Sequence, residues 1–258
     1  MGNSRSKPTK STGASATLVH DSDQISMIPE EGRYDTCRIL VANGIPNAVW
    51  FEDLLALHGS DTIVWDLSHL IDDPNAAAVL LCKLNYKCVL PDDRYEHIHE
   101  IAQSGIRMVL PTNGLKIVLL RAHDWHYDMS TCPKSCVPRI CDFLDAIMDL
   151  WLNMSSVEYD DRLLFALHLA CLIDYAYSLK YHHGKASKAN SFAENLREEH
   201  RELHFDMVSN SKGRESWTFA RRHERHARTY RNIKEGNFTP EPCTPTAFKQ
   251  SLAALPEQ

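Results

Sequence analysis

Asp66 and Ser68 stand two residues apart in Thr62-Ile-Val-Trp-Asp-Leu-Ser68, a run whose β-branched and aromatic content predicts a buried strand over residues 62–67. Alternate residues of a strand share a face, so both side chains are expected to look into one crevice. A carboxylate there can ligate a divalent ion, and a serine hydroxyl can hold a ligated water without adding charge. Glu52 and Asp53, on a short helix expected from Glu52 to Leu57, are the nearest further acids. Two other groups have metal-ligand chemistry. His123 and His126 lie three apart beside Asp124 and Asp128, and His200 and His204 lie four apart in Glu199-His-x3-His-x-Asp206. The second spacing puts both imidazoles on one helix face, with Asp206 as a third donor. Each group also has a plainer reading: loop histidines bonded to carbonyls, and core histidines paired with acids. Cys132-x3-Cys136-x4-Cys141 fits no standard zinc spacing. The eight cysteines are read as reduced thiols, with Cys82, Cys88 and Cys171 as small buried hydrophobes.

The elements that hold these residues change character along the chain. Residues 34–43 predict a helix ending near Gly44, Ala48-Val-Trp50 a short strand, and His58-Gly59 a tight turn. Asp72-Asp-Pro74 is an acidic cap with proline in the first helical turn, and the helix runs on to Leu84. Tyr86 to Val89 reads as a strand, 95–104 as a helix, and 106–110 and 115–120 as a hairpin around Pro111-Thr-Asn-Gly114. From Val137 the apolar period becomes 3.6. Helices are expected from Ile140 to Trp151, Tyr159 to Leu179, Ser191 to Val208 and Trp217 to Lys234. Arg221, Arg222, Arg225, Arg228, Arg231 and Lys234 on the last form a basic band, read first as a solvated surface and second as a phosphate- or lipid-facing one. The organisation is thus an arm over 1–30, an α/β domain over 34–128, a helical lobe over 137–235 and a proline-containing tail over 236–258, an α/β (α+β) chain.

A short helix, a tight turn and a carboxylate strand between Val49 and Ile71 resemble the core of the nucleotidyltransferase fold, over roughly residues 36 to 125. The combination Ile45-Pro46, Trp50-x-Glu52-Asp53, His58-Gly59 and Glu199-His200-Arg201-x2-His204-Phe205-Asp206 is similar to a group of fungal proteins of that type. The resemblance implies a small mixed sheet followed by a helical lobe, and a nucleotide and Mg or Mn held by paired carboxylates. This chain departs from that pattern three times. Ser68 replaces the second carboxylate, residues 115–120 offer no third one, and Phe51-Glu52 stands where the family has small residues against phosphate. The expectation is a degenerate, nucleotidyltransferase-like binding or regulatory module, with Asp66 and Ser68 lining the ligand crevice. The first alternative is an active enzyme that rearranges Asp66, Glu52 and Asp53, with Asp72 and Asp73 as further charge. The other is a membrane-associated scaffold that binds another protein.

That last alternative rests on the amino terminus. Met1-Gly2-Asn-Ser-Arg-Ser6 fits the myristoylation pattern at Gly2, and Arg5, Lys7 and Lys10 would favour an anionic membrane surface. Residues 8–27 are too polar to build a core. The start lacks a secretory apolar stretch, and no run nears the roughly 18 apolar residues of a membrane span, so a cytoplasmic chain, peripheral on a membrane through its arm, is expected. A formal charge of −6 gives no general reason to expect nucleic-acid binding, and no groove-reading motif accompanies the basic band.

Overall fold

The computed structural model describes residues 32–90, 105–177, 191–209 and 222–239. Strands β1 (Ala48–Trp50), β2 (Leu67–Ile71), β3 (Lys87–Cys88), β4 (Ile106–Leu110) and β5 (Leu115–Arg121) form one sheet in the order β1-β2-β5-β4-β3. β2 runs parallel to β5, and every other neighbouring pair is antiparallel. Helices α1 (Asp35–Ala42), α2 (Phe51–Leu57) and α3 (Pro74–Lys83) lie between the strands in sequence. Then come α4 (Ile140–Asn153), α5 (Ser156–Asp161), α6 (Leu163–Tyr177), α7 (Arg201–Ser209) and α8 (His223–Lys234). The chain is therefore a small mixed sheet followed by a helical lobe, an α+β architecture. Buried apolar side chains form one cluster from Tyr34 to Tyr230, so sheet and lobe share a core.

Local chemistry accounts for much of this. Asp73 caps α3 by accepting from the Asn75 and Ala76 amides, with Pro74 at the first helical position. Gly114, at a φ of +69°, closes the β4–β5 hairpin in a left-handed conformation that glycine adopts without a Cβ penalty. The open edge of β1 is partly covered, because the Val49 amide donates to the Cys136 carbonyl at 2.8 Å. α8 buries His223, His226, Ala227 and Tyr230, an i, i+3, i+4, i+7 stripe, and turns its basic residues outward.

Several expectations are corrected. The carboxylate strand begins at Leu67 rather than Thr62, and Asp66 sits in a bend just before it. Ile63, Val64 and Trp65 have strand-like side chains but remain exposed, whereas Leu67 to Ile71 pair with β5 along their whole length and are buried throughout. Strand content without a partner backbone does not make a ladder. The helix expected from Tyr159 to Leu179 breaks at Arg162, because a Ser155–Glu158 capping box starts α5 separately, and Leu163 and Leu164 end up exposed. The helix expected from Ser191 to Val208 is interrupted before a 3-10 turn at Glu198–His200. Cys82 and Cys88 are exposed and Cys171 is half-buried, so none of the three is a buried core hydrophobe. Residues 95–104 and 180–190, Arg221, and the tail from 240 lie outside the described residues.

The lipid-anchored, membrane-associated character expected from the sequence is also corrected. Among the described residues no helix is long and apolar enough to cross a membrane. The most apolar, α6, has 15 residues, about 22 Å of helix against a hydrocarbon layer of about 30 Å, and it packs most of them into the core. The arm bearing Gly2 lies outside the described residues.

Candidate functional site

The sheet side of the molecule brings Asp66, Ser68, Glu52 and Asp53 into one neighbourhood with unequal roles. Ser68 is buried in β2 between Trp50 on β1 and Val118 on β5. β5 contributes no carboxylate beside it. Asp53, 2% exposed, is taken up by Arg33: Nε donates to Oδ1 at 2.6 Å and Nη2 to Oδ2 at 2.8 Å, a two-pronged fit of guanidinium to carboxylate. The Tyr34 hydroxyl adds a third bond to Asp53 at 3.1 Å. The same Arg33 Nη2 donates to the Trp65 carbonyl, and Arg33 also feels the charge of the neighbouring Asp66. A fixed guanidinium therefore ties the start of α2 to the bend that carries Asp66. Glu52 is half-buried, and burial pushes its carboxyl up to about 7. Asp73 is committed to the α3 cap, and Asp72 is exposed.

α2 starts under strain. Phe51 has a φ of +54°, in the left-handed region, at the position read from the sequence as a departure from the small residues of the resembled family. Its ring is held edge-on to Trp125 with centroids 4.7 Å apart and to His168 at 5.6 Å. Two effects oppose each other on Phe51→Gly. Relief of the backbone strain is worth about 1–2 kcal/mol, and loss of a side chain only 3% exposed costs about 3–5 kcal/mol. The variant is expected to be less stable by roughly 2 kcal/mol in urea unfolding, and a more stable variant would show that the strain dominates.

The histidine groups separate. His123 is almost fully exposed beside Asp124, while His126, itself at a φ of +53°, turns to Asp149 on α4 with Nδ1 2.8 Å from Oδ2. His200 and His204 do not converge on a common ligand. His200 Nδ1 meets Asp145 Oδ1 at 2.6 Å, whereas His204 Nδ1 meets the Tyr177 hydroxyl at 2.8 Å. Asp206 faces Arg222 at 3.2 Å, Arg225 at 3.4 Å and His226 at 3.1 Å. His200, in the 3-10 turn at Glu198–His200, faces Asp145 of α4, whereas His204 on α7 faces Tyr177 of α6.

A further polar cluster centres on Asp145 and Asp149 of α4, two carboxylates one helical turn apart among apolar neighbours. Asp149 accepts from Tyr230 Oη at 2.5 Å, and its other oxygen faces His126 and, at 3.5 Å, Arg197. Burial opposes its ionisation, yet the bonds from His126 and Tyr230 and the charge of nearby His200 hold its carboxyl well below the usual range. Asp145 also accepts the Arg197 amide at 3.2 Å. Burial disfavours a charged His200, but Asp145 and Asp149 outweigh it and raise that imidazole above its ordinary value. The importance of Asp145, Asp149, Arg197, Tyr230 and Arg33 was not read from the sequence. A signal for the first two was present, since acids at i and i+4 inside Ile140–Asn153 interrupt an apolar helix.

The chain matches no family model, and no curated protein or solved structure is detectably similar to it.

Proposed function

We propose that this chain is a degenerate nucleotidyltransferase-like protein that works as a binding or regulatory module. The observation that carries this reading is the engagement of Arg33 with Asp53 and the Trp65 carbonyl beside Asp66. A divalent-ion centre needs carboxylate oxygens open to the ion. Here one acid is closed off by a guanidinium, the next position on the strand is Ser68, and β5 supplies no third acid. These residues do not fit a two-ion centre, so no step of nucleotidyl transfer is derived for them. The strand arrangement is compatible with the resemblance: antiparallel β1 and β2 are joined through α2, and β2 lies parallel to β5. A nucleotide or another protein is the ligand class that this reading leaves for the crevice.

A second reading, an enzyme with a rearranged site, is favoured by Glu52 alone. A carboxyl raised to about 7 is matched to accepting a proton near neutral pH. Calorimetric titration with ATP, GTP, CTP and UTP, with and without Mg or Mn, separates the two when paired with a radiolabel transfer assay. The expected result is no transfer of label and no strengthening of nucleotide binding by either metal. Metal-dependent binding with labelled product, both lost on Asp66→Ala, would establish the enzyme instead.

A further inference from the structure

His200 is 0% exposed, and its two ring nitrogens face different surroundings. Nδ1 is fixed by Asp145 at 2.6 Å. Nε2 has no hydrogen-bond partner and lies 3.6 Å from Asp149 Oδ1, too far for a hydrogen bond. A Glu199 oxygen completes a set in which the three donor atoms lie within 4.8 Å of one another. We propose that His200 Nε2, Asp149 and Glu199 form a binding site for one divalent transition-metal ion, with Asp145 orienting the imidazole.

The geometry suits such an ion better than a direct bond between the residues. Two donor atoms each about 2.0–2.2 Å from a metal, at a tetrahedral angle, stand about 3.4 Å apart. The observed 3.6 Å between Nε2 and Oδ1 needs little adjustment, while a hydrogen bond would need the pair to close by more than half an ångström. An imidazole whose second nitrogen bonds a carboxylate is the usual outer-sphere arrangement of a metal-ligating histidine, because it fixes the tautomer and makes the ligand more basic. One nitrogen and two carboxylates form a borderline donor set that suits Zn, Mn or Co.

Two cationic side chains and an imidazole also face the site. Arg197 reaches Asp149 at 3.5 Å, His126 at 2.8 Å, and Lys234 lies 3.0 Å from the Tyr230 hydroxyl. The Arg197 side chain is 45% exposed and Lys234 is exposed, so both have solvent to turn into. Glu199 is half-buried, which gives an ion an outer side from which to enter. The site lies in the helical lobe, and its test does not depend on the reading proposed for Asp66 and Ser68.

The test uses the full chain, stripped with chelator and dialysed, and titrated with MnCl2 by electron paramagnetic resonance. Manganese is chosen because it discriminates against the thiols that would compete for zinc. One ion per chain is expected. Glu199→Gln leaves the buried network intact and should weaken binding at least tenfold, and Asp145→Asn, which touches no ion, should weaken it about 10–100-fold. Circular dichroism confirms that both variants are folded. Absence of stoichiometric binding to the wild type overturns the proposal, as does equal binding by wild type and the Glu199→Gln variant.

Discussion

Asp149→Ala is expected to lower the stability of the metal-free protein by about 3–5 kcal/mol, the cost of removing one partner from a buried ionic network. Three segments lose their anchor together. The Tyr230 hydroxyl from α8, His126 from the corner after β5, and Arg197 from the approach to the 198–200 turn all reach this carboxylate. Tyr230 is 1% exposed, so its hydroxyl, bonded at 2.5 Å, has little solvent to turn to. At about 2–4 °C per kcal/mol for a chain of this size, the melting temperature should drop by roughly 10 °C. Tyr230→Phe removes a single bond and should cost only about 1–2 kcal/mol. The double variant should cost clearly less than the sum of the two, because both remove the same bond. Urea unfolding of all four proteins measures this, and additive losses would mean that Asp149 and Tyr230 act separately.

Acidification is expected to weaken the fold through His69 well before the carboxylates titrate. His69 is 0% exposed in β2, and burial, helped by the charge of Arg33, lowers its pKa to about 3. Nδ1 lies 3.2 Å from Asn47 Oδ1 and 3.9 Å from Cys37 Sγ, while Nε2 has no hydrogen-bond partner. The neutral ring, donating from Nδ1 to Asn47, is therefore the form that the fold holds. Between its unfolded value near 6.5 and its folded value near 3 the unfolded chain carries the extra proton, so the stabilisation is complete above pH 6.5 and is lost as pH falls through this window. The slope approaches 1.4 kcal/mol per pH unit, or roughly 3–5 kcal/mol across the window. His168, lowered to about 4 by burial, acts in the same direction. Because other histidines titrate too, the diagnostic comparison is with His69→Gln, which keeps a side-chain amide to bond Asn47 and has no proton to gain. Unfolding free energies at pH 7, 6, 5 and 4 should fall more steeply for the wild type than for the variant. Parallel curves would show that His69 charges inside the fold at no cost.

Features carried by neighbouring residues were legible in the sequence. The α3 start at Asp73-Pro74, the hairpin around Gly114 and the His58-Gly59 turn follow from capping and backbone conformation. So does the buried character of α4, whose apolar repeat sets its inward face. Strand limits were less legible. Ile63-Val-Trp65 and Leu67–Ile71 are similarly apolar, but only the second lies where β5 can pair with it. The break at Arg162 was missed because a capping box in the middle of an apolar run competes with the periodicity on either side of it.

The amino-acid sequence by itself determined the succession of elements, a mixed set of strands before a set of helices, because each element is written in residues a few positions apart. It also determined that Ser68 and an acid-free β5 cannot furnish paired carboxylates, since residue type is not altered by folding. Only the tertiary structure decided which charges meet. Arg33 finds Asp53 across 20 residues, His200 finds Asp145 across 55, and Tyr230 finds Asp149 across 81. No local spacing encodes such pairings. They arise because burying the apolar faces of α4 and α8 carries their few polar side chains into a region without water, where each must find a partner of opposite character.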